Sequence, residues 1–307
     1  SSSIVSHMCR RIIGNNTVRN YCRKGYDNLH HTEYNQQTPL SSDESFISRD
    51  GDSNDGVHRD NIMCCPGGGF SGFWYFLGRL HAIEERRSKN ATSADRDVTN
   101  SNGGAYGDES SPPVGPTHYE CYSAGCLVVA ATLKNRTFQQ VINLAWKAQD
   151  MARNRELGLF DVVSFFVDGL LGNGSDDGNS TAKNRLTVDE LSRIRIITTA
   201  RGSNDALGFR WQHVLRTPRD ESELREMLIQ TTWIPGVTGG SIWRQDEMNG
   251  EYHMDGAFSA YWHPECSSYL TVPSTVDFYI HSLNPAMSKA KALEFYEFGY
   301  TEYDDSE

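Results

Sequence analysis

Apolar positions in this chain form two patterns, short runs and helically spaced stripes, and the two alternate along most of its length. Short apolar or β-branched runs predict strands at Asn61–Cys65, Arg193–Thr199 and Val276–His281, with a further strand around Ser241–Arg244. Helical spacing predicts helices at Phe73–Arg87, Phe138–Arg155, Leu159–Leu171, Asp220–Gln230 and Lys289–Tyr303. This alternation predicts an α/β fold, a three-layer α/β/α sandwich with a mainly parallel central sheet.

Polar stretches set the expected domain boundaries. Residues 1–59 are rich in Ser, Asn, Asp and Arg and show neither helical nor strand periodicity, so we expect a disordered N-terminal tail. Residues 60–304 would form the folded domain. Within it, polar stretches at about 88–116 and 172–182 predict insertions without regular structure.

Charge and cysteine content narrow the possible function classes. The 307-residue chain has a formal net charge of −11, which disfavours electrostatic binding to nucleic acid or to an anionic membrane, since both attract basic surfaces. No run of about 18 apolar residues is present, so no transmembrane segment is expected. The seven cysteines are scattered and odd in number, which predicts mostly buried thiols rather than a dense disulfide framework. We favour an intracellular protein, soluble or peripheral to a membrane.

The stretch Thr117–Leu133 predicts a short strand, a tight turn at Ser123 and a helix of small residues. A serine between compact neighbours at such a junction is typical of a nucleophile elbow, in which the strand-to-helix turn exposes the hydroxyl above the sheet. The small residues after Ser123 favour close packing of the helix on the sheet. The helix then directs its positive N-terminal end at the turn, where an anionic intermediate would form.

A second strand–turn–helix unit begins at Asn61 and contains Gly67-Gly68-Gly69-Phe70-Ser71-Gly72. Its free amide groups and the following helix form a cradle for an anion or oxyanion. The spacing also satisfies the dinucleotide fingerprint G-x-G-x-x-G, which requires an acidic residue at the end of a second strand about 20 residues further on. A polar stretch without a strand follows instead, so nucleotide binding is disfavoured.

Together these motifs resemble those of the patatin-like phospholipases, or patatin-like lipid acyl hydrolases. Gly67 to Gly72 match the family's G-G-G-x-R/K-G oxyanion loop, Ser123-Ala124-Gly125 match the end of its G-x-S-x-G elbow, and Asp255-Gly256-Ala257 match its D-G-G/A motif. Ile234-Pro235 is similar to the proline-containing segment before the family's aspartate strand. The resemblance extends from about Asn61 to Tyr303.

The resemblance implies a serine-dependent lipid acyl hydrolase of the phospholipase A or lipase type. Ser123 would be the nucleophile, Asp255 the general base, and the amides of Gly67, Gly68 and Gly69 the oxyanion hole. Gly72, Ala124, Gly125 and Gly256 would support the motifs. The implied substrate is an acyl lipid at a membrane or lipid-droplet surface, with no cofactor and no metal.

Two residues depart from the family pattern. Ser71 stands where the oxyanion loop has a basic residue, which removes an electrostatic support although backbone amides could still bind the oxyanion. Cys121 stands where the elbow has its first glycine, and its larger side chain needs space between helix and strand. These departures motivate an alternative function, a catalytically silent member of the family that binds lipid or a protein partner.

Two other chemistries remain open in the sequence. Ser123, Asp255 and a later His263 or His281 follow the chain order of an α/β-hydrolase triad, and His253 would share a strand face with Asp255. Metal binding by Cys64, Cys65, Cys121 and Cys126 is disfavoured because their spacing does not match C-x-x-C ligand pairs.

Overall fold

The computed structural model describes residues 61–98, 116–158, 161–172, 185–202, 211–235, 237–247, 249–259, 266–273, 275–282 and 287–302. All of them belong to one compact unit, Val57–Glu307. The predicted tail, residues 1–59, lies outside the described residues. Residues 99–115 and 173–184, which contain most of the two predicted insertions, lie outside them as well.

Within the described residues, seven strands form one mixed sheet. They are β1 (Ile62–Cys65), β2 (His118–Cys121), β3 (Ile194–Arg201), β4 (Trp211–Arg216), β5 (Arg244–Gln245), β6 (Tyr252–Asp255) and β7 (Ser268–Tyr269). The hydrogen-bonded order is β5-β6-β3-β2-β1-β7, and β4 also pairs with β3. Strands β7, β1, β2 and β3 are parallel, whereas β4 and β6 are antiparallel to β3. The expected α/β class with a mostly parallel sheet is confirmed.

Strand β3 brings two distant segments end to end. β4 pairs with residues 196–201 of β3 along one edge. β2 and β6 must therefore share the other edge, where Cys121 of β2 pairs with Ile196 and Asp255 of β6 pairs with Thr198. Because β2 and β6 run in opposite directions, their C-terminal ends meet at the middle of β3. The turn after Cys121 and the residue Asp255 are thus placed next to each other.

Eight α-helices accompany the sheet in the described part of the chain. They are α1 (Gly69–Val98), α2 (Ala124–Leu133), α3 (Phe138–Arg153), α4 (Val162–Leu171), α5 (Val188–Ser192), α6 (Glu221–Thr231), α7 (Val276–Ser282) and α8 (Lys289–Glu302). Thr137 and Thr187 begin α3 and α5 with capping boxes, and Asp220 caps α6 by accepting a hydrogen bond from Glu223 N–H. Buried residues of α1, α2, α4, α6 and α8 share one apolar core with β1, β2 and β3.

Two predictions about local structure are wrong. Val276–Ser282 is a helix rather than a strand, with Phe278 buried and Ile280 exposed. A short apolar run has no period long enough to separate these two states. Helix α1 continues to Val98 rather than ending at Arg87, so the predicted insertion begins inside the helix. Ion pairs of Glu85 with Lys89 and of Glu84 with Arg87 support the polar extension at helical spacing.

Cysteine pairing also differs from the prediction. Cys64 is bonded to Cys266 and Cys121 to Cys126, while Cys65 is a buried free thiol. The prediction of mostly buried thiols is therefore wrong for the described cysteines. The first pair is separated by 202 residues and depends on tertiary geometry, whereas the second depends on the tight turn at Ser123; cysteine spacing alone indicates neither.

Candidate active site

Ser123 occupies a sharp turn between β2 and α2. Its backbone has φ 53° and ψ −135°, a conformation that costs a non-glycine residue of the order of 1–3 kcal/mol. The turn is closed by hydrogen bonds from Gly125 N–H to Tyr122 O (3.1 Å) and from Cys126 N–H to Ser123 O (3.1 Å). The local geometry is a sharp strand-to-helix turn, as the predicted nucleophile elbow requires.

Thr231, at the end of α6, fixes this turn from outside. The Ser123 N–H donates to Thr231 Oγ1 (2.9 Å), and the Thr231 hydroxyl donates to Ile197 O of β3 (2.7 Å). The threonine is fully buried. It connects the turn to the central strand, a role that no local pattern around Thr231 indicated.

Gly125 is required by the close approach of α2 to the end of β1. A Cβ atom at this position would lie 2.2 Å from Cys65 O and 2.5 Å from Pro66 O. Both contacts are with backbone atoms, which cannot move away without displacing the strand. The small residue predicted here is therefore a steric requirement of the elbow.

Asp255 ends β6 beside this turn and is almost completely buried. Its backbone N–H donates to Trp233 O (3.0 Å), its carbonyl accepts from Thr199 Oγ1 (2.9 Å), and its Oδ1 accepts from Ala257 N–H (2.8 Å). Burial raises the pKa of Asp255 from 3.8 to about 7, an effect that hydrogen bonds from Ala257 N–H and the Ser123 side chain partly offset.

The carboxyl group of Asp255 and the hydroxyl group of Ser123 thus lie within interaction range of each other. Asp255 Oδ2 is buried, and no donor among the described residues lies at both a normal distance and a normal angle for a hydrogen bond to it. A buried oxygen in this state has free capacity to accept a proton. The pair has the composition and proximity of a nucleophile and its general base.

The glycine loop lies directly against the serine. A Cβ atom on Gly67 would be 2.9 Å from Ser123 Cβ and 3.3 Å from Ser123 Oγ. Gly69 begins α1 with φ +61°, and a Cβ atom there would be 2.0 Å from Ser282 O, so only glycine fits. The loop therefore joins the first turn of a 30-residue helix, whose N-terminal amides favour negative charge.

Tyr122 occupies part of the predicted oxyanion hole. Its ring lies 3.2 Å from the position of a Cβ on Gly67, and a hydrogen bond from Gly67 N–H lowers its pKa. Burial and the charge of Asp255 outweigh this effect and raise the pKa of Tyr122 overall. The Gly67 amide therefore has Tyr122 as a partner, which leaves Gly68 and Gly69 as the other two predicted oxyanion donors.

Ser71 is a structural residue rather than part of the loop. Its side chain is completely buried in α1 and its hydroxyl donates to Phe278 O of α7 (2.8 Å). The aromatic residues that follow, Phe73 to Phe76, are also buried in the core, so they do not indicate a lipid-binding surface. Phe70, between loop and core, is 39% exposed.

The described histidines make contacts of their own. His253 Nδ1 lies 3.2 Å from Thr198 Oγ1 and its Nε2 3.4 Å from Glu251 Oε2, and burial lowers its pKa. His281 Nε2 lies 3.5 Å from Asp277 Oδ1 on the same helix. His263 lies outside the described residues.

The structure also bears on the nucleotide and metal alternatives. Helix α1 occupies the chain where the dinucleotide fingerprint needs a second strand with an acidic end. Cys64, Glu120 and Cys266 place possible ligand atoms within 4.8 Å of one another, but the two sulfur atoms are joined as a disulfide and Glu120 pairs with Arg195 (3.2 Å). Neither arrangement suits the corresponding ligand.

Comparison with known proteins adds no assignment: no protein-family model and no curated protein matches the chain significantly. Among the described residues, no helix combines the length and apolar character that crossing a membrane requires.

Proposed function

We propose that the protein is a serine-dependent lipid acyl hydrolase that cleaves carboxylic esters of phospholipids or related acyl lipids. The observation that carries the proposal is the placement of Ser123, on a strained strand-to-helix turn, beside the buried carboxyl group of Asp255, because β2 and β6 end next to each other on β3. A strained backbone at a half-buried nucleophile beside a buried base is a feature of catalytic sites.

In the proposed reaction, Ser123 Oγ attacks the ester carbonyl carbon while its proton passes to Asp255. The tetrahedral intermediate then collapses, and the alcohol leaves with that proton. Water attacks the acyl-serine ester, gives its proton to Asp255, and releases the fatty acid as the proton returns to Ser123. A pKa of about 7 suits a base that accepts and returns a proton near neutral pH.

The oxyanion would be stabilised by backbone groups rather than by a basic side chain. Gly68, just before α1, and Gly69, its first residue, would offer their amides, and the N-terminus of α2 lies at the serine itself. This arrangement does not depend on a cation at Ser71. It would permit activity despite that departure from the family pattern.

The same proposal includes the architecture and the substrate. A patatin-like three-layer sandwich would cover the sheet on both faces. The acyl lipid would come from a membrane or lipid-droplet surface and approach the loop at the partly exposed Phe70. No cofactor or metal is part of the proposed reaction.

A fluorophosphonate probe and a panel of phospholipid, galactolipid and triacylglycerol substrates test this function. We expect covalent labelling at Ser123 and release of fatty acid, both lost in Ser123→Ala. Ser192→Ala, at an exposed serine of α5, is the matched control and should behave as wild type.

The alternative is a catalytically silent module that binds lipid or a protein partner. It is favoured by Ser71, because the side chain in the place of the family's basic residue is bonded to Phe278 O. Folded protein that neither reacts with the probe nor hydrolyses any ester of the panel would support this alternative and contradict the hydrolase.

A further inference from the structure

The two cysteines on either side of Ser123 are covalently linked. Cys121 is the last residue of β2 and Cys126 lies in the first turn of α2, with Cα atoms 4.9 Å apart. Both are completely buried. We call this bond the elbow disulfide.

The elbow disulfide acts on a turn that needs restraint. A strained backbone such as that of Ser123 persists only where its surroundings leave it no relaxed alternative. The obvious route of relaxation would be for the start of α2 to move away from the end of β2. A covalent bond between these two elements blocks that route.

We propose that Cys121 and Cys126 are positioning residues, whose disulfide holds Ser123 in the orientation that its reaction requires. The catalytic consequence rests on the proposed function, whereas the restraint of the turn does not. The proposal also gives a reason for Cys121 at the position where the resembling family has glycine: the larger side chain is used in the crosslink.

The second disulfide has a different expected role. Cys64–Cys266 closes a loop with a sequence separation of 202 residues, compared with 5 for the elbow disulfide. Constraining a long loop removes more entropy from the unfolded chain than constraining a short one. The Cys64–Cys266 bond should therefore contribute mainly to global stability, and the elbow disulfide mainly to the local geometry of Ser123.

The first measurement is the oxidation state of the cysteines. Protein purified without reductant is denatured, alkylated and digested with trypsin. The peptide containing Cys121 and Cys126 should be unmodified and lighter than its reduced form by two hydrogen atoms. Alkylation of both cysteines before reduction would overturn the proposal.

The second measurement compares two double variants, Cys121→Ala/Cys126→Ala and the matched control Cys64→Ala/Cys266→Ala. For each we would measure the rate constant of fluorophosphonate labelling, the melting temperature and hydrogen exchange at the amides of residues 122–126. Losing the elbow disulfide should slow labelling about tenfold or more and speed local exchange, because 1 Å misplacements at a reacting centre carry large rate penalties. The control should lower the melting temperature more and leave labelling and exchange within about twofold of wild type.

The outcomes separate this proposal from the hydrolase itself. Wild-type labelling and exchange in Cys121→Ala/Cys126→Ala would overturn the positioning role. A wild-type protein that is not labelled, yet loses protection at residues 122–126 when the elbow disulfide is removed, would contradict the hydrolase and support the restraint. If the elbow variant fails to fold, the control variant can be treated with dithiothreitol, which becomes a cyclic disulfide as Cys121 and Cys126 become thiols. Alkylation after denaturation verifies that both buried cysteines were reduced, and unchanged labelling and exchange in the reduced protein would again overturn the proposal.

Discussion

The two ends of helix α2 each have a non-glycine residue with positive φ, Ser123 before the helix and Asn135 after it, and they differ in cost. Asn135 is exposed and ends the helix in the left-handed conformation, with hydrogen bonds from Asn135 N–H to Thr132 O and from Arg136 N–H to Ala131 O. This is a common helix end that asparagine adopts readily. A positive φ is therefore not in itself a sign of function.

Ser123 has a different environment. Its turn is held by Thr231, by the backbone approach at Gly125 and by the elbow disulfide, and its side chain lies against Gly67 and near the end of β6 at Asp255. Several independent restraints converge on one unfavourable conformation. The difference between the two ends of α2 teaches that strain indicates function when the surrounding structure enforces it.

The largest expected effect follows from removing the carboxylate of Asp255, the proposed base for Ser123. Asp255→Asn should lower kcat about 10²–10⁴-fold, since an amide cannot serve as the base. It should also stabilise the protein at pH 8 by roughly 1–4 kcal/mol. Between pH 3.8 and about 7, folded Asp255 holds its proton while the unfolded chain has released it, so stability falls across this range and the loss is complete at pH 8. Steady-state kinetics and urea unfolding at pH 5 and pH 8 measure both effects; lower stability of Asp255→Asn at pH 8 would contradict the burial argument.

The next effect concerns the close approach at the elbow. Gly125→Ala should destabilise the protein by about 3 kcal/mol or more, because the new methyl group would overlap the backbone of β1. Gly72→Ala is the matched control, since a Cβ there would meet its neighbours at ordinary distances of 3.7 Å and above. That helix substitution should be neutral or stabilising by up to about 1 kcal/mol. Equal losses of stability on urea unfolding would refute the steric explanation.

Smaller effects should separate the two positive-φ residues directly. Ser123→Gly relieves backbone strain and should stabilise the protein by about 1 kcal/mol relative to Ser123→Ala, which keeps the Cβ atom. Asn135→Gly and Asn135→Ala should differ through the ordinary helix-end preference alone, with Asn135→Gly within about 0.5 kcal/mol of wild type. Thermal unfolding of the four variants makes the comparison. An Asn135→Gly variant stabilised as much as Ser123→Gly would remove the distinction between the two ends.

The smallest effect is expected at the histidines. In a Ser-Asp dyad, His253→Ala, His263→Ala and His281→Ala should each retain hydrolysis within about threefold of wild type when corrected for folded protein, because none is the base. A loss approaching the 10²–10⁴-fold expected for a general base in any one of them would favour the triad instead. Ester hydrolysis at saturating substrate is the measurement.

Sequence motifs predicted which segments form this site, but not the hydrogen bonds and disulfides that hold those segments in place. Ser123, Asp255 and the glycine loop stand in local motifs, and the structure brings all three together. No local motif identifies Thr231 or Cys266, because each interacts with a segment that is distant along the chain: Thr231 with Ser123, and Cys266 with Cys64.

The same limit applies to the fold. Most strands and helices of the core match the hydrophobic periodicity of the sequence. Strand β3, for example, spans Ile194–Arg201 where Arg193–Thr199 was predicted. Strand β4 was not predicted: Trp211–Arg216 has three polar or charged residues among its six, and it forms a strand by pairing with β3. The helix at Val276–Ser282 likewise depends on packing, with Phe278 against Phe295 of α8. Tertiary contacts decide such short segments.

The central claim is that Asp255 activates Ser123, and the rate of fluorophosphonate labelling as a function of pH tests it most directly. In wild-type protein the rate at Ser123 should rise with pH and reach half its maximum near pH 7, where the buried carboxyl group loses its proton. Asp255→Asn should show a rate that is at least about 100-fold lower and has no midpoint near pH 7. Equal rates and the same pH profile in both proteins would contradict the account.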